Sequence, residues 1–512
     1  MKKLTLTAGA ILVAGAAAIF GGCDNSANTQ SGSFLYYEND AIPPGQEDTS
    51  DQTLADLTPE TVDPTINMLA RQYDAQAAAK AQAAAARMQA AIKPAAPAPE
   101  PPLASAEDIA AAEKRVDELR GTVTKSKNGA ITGIDIDSTD LAVDDMKLFG
   151  RLGDLESFKC LGEGVTDEFF AQFKDLKKIK SITVQNASIT GETLKLFSTF
   201  PELESLDIRR DLQLNNADLA LIVDFPKLKK LGAYYNYFTN SGVNKISKST
   251  TLTSVDIRGC KDISDSSAKY LARMPQLEEV LFRFGISNQG VENLAAAPNL
   301  KFVEFQDCND LDNDCAPFFA TYPSLTGLRI FRCNGFTDDG VKGLAPLKIE
   351  RLELRDLHVT DEGALALKDM DTLRTVEISE LALTSDAVKT LVSSPGWSGV
   401  TSLSFFSIPM TDDVVAAIAA NMKGLKSITL RAAGNVSDAA LDELAKIETL
   451  TTIDLRDNAG FTADGFMKLA NLKNLRKIYV KGSAFGDSSE KIRQKWEEFK
   501  KINPKCQIST AG

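Results

Sequence analysis

From residue 131 onward the chain repeats one pattern, and that repetition limits its possible folds more than any other feature. Heads reading L-x-x-L-x-L begin at Leu155, Ile179, Leu203, Leu228, Leu252, Leu277, Leu300, Leu325, Ile349, Leu373, Val400, Leu425, Leu450 and Leu475. A degenerate copy, Ile131-Thr132-Gly133-Ile134-Asp135-Ile136, opens the series, which makes about 15 units. Successive heads lie 24 or 25 residues apart, with one interval of 23 and one of 27. Such a period overrides the usual expectation that 512 residues divide into several globular domains.

Apolar residues alternate in each head, as they do in a strand with one buried face. The second half of each unit has its own phase: Val165-Thr166-Asp167, Ile263-Ser264-Asp265, Phe336-Thr337-Asp338, Val359-Thr360-Asp361 and Met410-Thr411-Asp412. There a hydroxyl can cap free N–H groups, an acid suits the first turn of a helix, and the apolar residue packs as a staple. Apolar residues then recur at helical spacing, as in Val341, Leu344 and Leu347. Each unit is expected to be strand, turn, helix. None can bury its apolar face alone, so the copies must stack on a continuous core.

These heads and I-T-D-x-G openings resemble the leucine-rich-repeat family, in particular its cysteine-containing subtype, over about Ile131 to Ile508. The resemblance implies an α/β solenoid, a horseshoe with parallel strands on the concave face and helices on the convex face. The array is expected over 131–487. It lies between an N-terminal cap (106–130, with a helix over Ile109–Leu119) and a C-terminal cap (488–512, with a charged helix over Ser488–Ile502). Well-known members of the subtype carry an F-box-like adaptor, for which no segment is evident here.

Upstream, Met1-Lys2-Lys3 and the apolar run Leu4–Phe20 read as a leader too short for a comfortable membrane span. Phe20-Gly21-Gly22-Cys23 resembles the lipobox of bacterial lipoproteins, although Phe20 stands where an aliphatic residue is usual. The resemblance implies a signal peptide over 1–22, acylation of Cys23 and an extracytoplasmic, membrane-anchored chain. An ordinary secretory signal or an uncleaved anchor are the other readings. Residues 23–105 are polar and then Ala- and Pro-rich, including Lys93–Pro102 (KPAAPAPEPP). They read as a disordered tether without a core, with Phe34–Tyr37 and the Ala-rich run as candidate docking segments.

Charge and chemistry narrow the function. With 57 basic against 70 acidic residues the net charge is -13, which argues against nucleic acid as a partner. A single histidine, and no phosphate-binding Gly-rich loop, give no basis for an enzyme, a cofactor or a metal. His358 reads as an ordinary surface residue. Cys260, Cys308 and Cys333 share one phase with Asn236 and Asn458, eight residues after the unit's first Leu. A small inward group that satisfies the turn backbone is expected there. Cys308 and Cys333 sit in adjacent units, within backbone reach of a disulfide, though buried thiols are the favoured reading.

Residues between the head leucines should face the concave side. One column is often acidic: Asp207, Asp256, Glu304, Glu353, Glu377 and Asp454. Two residues on, a second column is rich in Arg and aromatics, including Arg209, Arg355 and Arg456. Its densest stretch is Tyr234, Arg258, Arg283 and Phe331, with Arg329 beside it. These five are the candidate partner-binding residues, because Arg and aromatic side chains anchor interfaces. The expected function is a binding module for a protein, or else a glycan, on the cell envelope. A self-neutralising charge ladder on a mere spacer is the competing expectation.

Overall fold

The structure, a computed structural model, describes residues 104–211, 213–260 and 262–510. The leader, Cys23 and the tether up to residue 103 lie outside the described residues.

After the opening copy, whose strand is Ile131–Asp135, each head forms a short strand that starts two residues after its first apolar residue, as in Ser205–Arg209 and Gly327–Phe331. Neighbouring strands pair in parallel and in register from unit to unit. With the two terminal strands they make one sheet of 17. The head leucines, alternate strand residues and inward helix residues fuse into one core, in which Leu203, Leu206, Ile208, Leu328 and Phe305 are fully buried. Burial of this kind stabilises by about 25 cal/mol per Å² of apolar surface. It exists only because each unit covers the next.

The caps are more elaborate than the sequence suggested. The first helix is Ala106–Glu118, and Ser105, expected to end the tether, is its N-cap and accepts from Asp108 N at 3.0 Å. A strand at Thr122–Lys125 then pairs antiparallel with Ile131–Asp135, covering the open edge of the sheet. At the other end the helix Glu490–Ile502 is followed by a strand, Gln507–Ser509, parallel to Lys477–Tyr479.

Three ladders tie unit to unit. The first lies at the inward position shared by Asn and Cys. Asn236 accepts from Asp211 N (2.7 Å) and donates to Ile208 O (3.0 Å), while the Cys260 thiol donates to Ala233 O (3.1 Å). Among the described residues all six cysteines are buried free thiols, Cys308 and Cys333 included.

The second ladder uses the I-T-D-x-G openings. The first-turn acid chiefly grips the next unit, where a helix-dipole role was expected. Asp338 accepts from both Thr360 N and Thr360 Oγ1 at 2.7 Å. Thr360 Oγ1 in turn accepts from Glu362 N, so one hydroxyl caps its own helix and binds its neighbour. Asp265 to Ser287, Asp361 to Thr384 and Asp438 to Thr462 repeat the arrangement. The Gly of the motif follows from this grip: a Cβ on Gly363 would collide with Asp338. Where the glycine is replaced, Ser267 turns its hydroxyl toward the same kind of partner, Asn240, at 2.6 Å.

The third ladder sits directly after the strands, where one residue per unit adopts a left-handed backbone. Examples are Arg210 (φ 52°), Tyr235 (φ 59°), Phe284 (φ 65°) and Arg332 (φ 51°). Each sends its N–H to a carbonyl of the following unit, as in Arg210 N to Tyr234 O (3.2 Å) and Tyr235 N to Arg258 O (2.9 Å). Non-glycine residues rarely adopt this conformation, so the hydrogen bond to the next unit must offset its cost.

Candidate functional site

Parallel register decides which side chains meet on the strand face. Glu304 lies opposite Arg329, and Arg329 opposite Glu353. Glu304 is almost fully covered, at 1% exposure, and both its oxygens are answered, by Arg258 Nη1 at 2.8 Å and Arg329 Nη1 at 2.7 Å. Arg329 and Arg351 both bind Glu353. Arg355, which shares a strand with Glu353, instead pairs with Glu380 at 2.7 Å. Asp207/Arg209, Asp256/Arg258 and Asp454/Arg456 do pair within their own units, as Arg351 does with Glu353. Glu377 makes no ion pair among the described residues. Burial, and then the charge of Glu353, push its carboxyl above the ordinary range.

The aromatic members of the second column lie under these guanidiniums. Arg209 stands over the Tyr234 ring at 4.9 Å and Arg258 at 5.8 Å. Burial, and then the nearby Asp207, push the Tyr234 hydroxyl up to about 12. Phe331 is capped by Arg332 (4.1 Å) and Arg355 (4.8 Å). A hollow of about 280 Å³ on this face is lined by Arg258, Glu304, Arg329, Phe331, Glu353 and Arg355.

Of the five candidate residues, Arg258, Arg329 and Phe331 therefore share one hollow, with Tyr234 against Arg258. Arg283 turns away. It pairs with Asp307 at 2.5 Å, donates to the Tyr235 hydroxyl and lies over the Phe284 ring at 4.7 Å. Against the cost of burial, hydrogen bonds from Arg332 and Arg283 hold the Asp307 carboxyl below its ordinary value.

The exposed aromatic side chains were missed by the sequence reading: Tyr237 (57% exposed), Phe284 (40%) and Tyr235 (37%), on the turns that follow the strands. The signal was available: each of Tyr235 and Phe284 comes one residue after the Arg/aromatic column, where the left-handed turn swings the side chain off the sheet. His358 is exposed, as expected.

A family model described as Leucine Rich repeat matches residues 248–272, the unit headed by Leu252. The fold is an α/β leucine-rich-repeat solenoid. Among solved structures, the chain is similar to a chain of the Rad7 and Elc1 complex in yeast. Identity there is 17%, covering 88% of this chain and 99% of that one, with a TM-score of 0.46. It is also similar to an internalin (inlF) from Listeria monocytogenes str. 4b F2365, at 12% identity over 80% of this chain and 96% of that one, TM-score 0.34. Neither superposes closely enough to bear on function. No curated protein matches the chain.

Among the described residues no cluster of three or more His, Cys, Asp or Glu could hold a metal ion. No described helix is long and apolar enough to cross a membrane. Burial pushes the Cys160, Cys260 and Cys315 thiols up, Cys260 to about 11, which opposes the thiolate that nucleophilic chemistry needs.

Proposed function

We infer that the chain is a binding module without enzymatic activity, lipid-anchored at Cys23 outside the cytoplasm, which takes a protein partner on its strand face. The observation that carries this reading is the shared hollow of Arg258, Arg329 and Phe331, with Tyr234 at its side. Preset guanidiniums over aromatic rings lose little side-chain entropy when a partner arrives. Buried carboxylates hold them in place, so the face is rigid before binding. A glycan on this face is the alternative ligand, and a spacer role without a ligand the alternative function.

The test uses residues whose loss leaves no buried charge stranded. Tyr234 and Phe331, the uncharged aromatics of this face, are replaced together by alanine. A partner crosslinked to the wild-type protein on envelope membranes and identified by mass spectrometry should bind the double variant at least ~30-fold more weakly, since interface anchors are worth ~2 kcal/mol or more each. Unchanged affinity would move the site off the strand face. Absence of any saturable partner would favour the spacer.

Anchoring has its own check. Cys23→Ser should shift the protein from the detergent to the aqueous phase in a partition assay, and unchanged partitioning would refute acylation.

A further inference from the structure

The geometry points to a second binding site, an oligosaccharide groove along the turn edge of the units between Thr139 and Gly259. The groove encloses about 940 Å³. It crosses the turns of six successive units, those headed by Ile131 to Leu252. Five strand spacings make it about 24 Å long, room for several sugar residues. Gly162, Gly164, Ala187 and Ser188 give it a floor without bulk, and Tyr235 and Tyr237 form a wall. Gly259 keeps that wall in place, because a Cβ there would strike the Tyr235 ring.

What sets this groove apart is that its polar groups are uncommitted. On the strand face nearly every charge is answered by another. In the groove the side chains of Thr139, Asn186, Ser188, Gln213 and Tyr237 make no hydrogen bond among the described residues. Among the described residues Arg210 has no ion pair, and it lies over the Tyr235 ring at 4.9 Å. Amides and hydroxyls beside exposed aromatic rings match a sugar, whose hydroxyls need such partners and whose C–H faces stack on rings.

The backbone argues against an extended peptide. Peptides added along an edge depend on free N–H and C=O groups. Here the turn N–H groups of Asn186, Arg210 and Tyr235 already bind Arg209, Tyr234 and Arg258 carbonyls. Those N–H groups are therefore not free to pair with an added strand. The nearly balanced lining, with one free Arg210 and one Glu163, fits a neutral or weakly acidic sugar chain better than a polyanion.

This site is independent of the strand face, and the test separates the two. The full chain is titrated calorimetrically with linear hexasaccharides of glucose, N-acetylglucosamine and galacturonate. At least one should bind saturably, and Tyr237→Ala should weaken it by about tenfold or more. Tyr237 is exposed, so its loss should leave the fold intact, which circular dichroism checks. The Phe331→Ala variant should bind the sugar as the wild type does. Failure of all three sugars to bind would overturn the proposal, as would binding indifferent to Tyr237.

Discussion

Arg329→Ala should destabilise the central units by ~3–5 kcal/mol, although Arg329 stands on a surface. Its guanidinium is 30% exposed, but the carboxylates it serves are not: Glu304 is 1% and Glu353 5% exposed. Removing it strands part of two buried negative charges, a cost well above the ~1 kcal/mol of an exposed pair. Adding Glu304→Gln and Glu353→Gln should recover much of the loss. Because long repeat arrays need not unfold as one unit, the measurement is amide hydrogen exchange in the strands Phe302–Gln306 and Arg351–Arg355. A loss under ~1 kcal/mol would show that solvent, and not Arg329, satisfies these acids.

Phe305→Ala should cost a similar ~3–5 kcal/mol by a different route. Phe305 is fully buried, stacked on Phe282 at 6.1 Å and tilted against Phe319 at 6.1 Å. Deleting the ring opens a cavity between units, and neighbouring backbones pinned by the Asp–Thr and left-handed ladders cannot close it. The loss should appear as a lower thermal midpoint, or as early exchange limited to the units around Leu300. By contrast Tyr237→Ala should change stability by no more than ~0.5 kcal/mol. Equal effects of the two substitutions would contradict the core assignment.

These two cases mark how far single residues were legible. That Phe305 faces inward follows from period alone, since it is an inward strand residue of the Leu300 head. The importance of Arg329 does not. Along the chain its partners are 25 and 24 residues away, and sequence proximity favoured the pair Glu353/Arg355, which the fold does not make.

Period and phase were enough to establish strand, turn and helix in most units, because each depends on local alternation, capping chemistry and the need to bury one face; the Leu203 unit tightens to a 3-10 helix, Asp218–Asp224. The inward role of Cys260 and its Asn equivalents was equally readable, since one position in a repeat meets one environment. Stacking decided the rest. In-register parallel pairing set Glu304 against Arg329 and Arg329 against Glu353, and turned the first-turn acids into links between units. The left-handed residue after each strand carried Tyr235 and Phe284 off the sheet and set Asp307 where it holds the Arg283 side chain. Those outcomes depend on what the next unit places a few ångströms away, at a distance of some two dozen residues along the chain. Only the packed array brings such groups together.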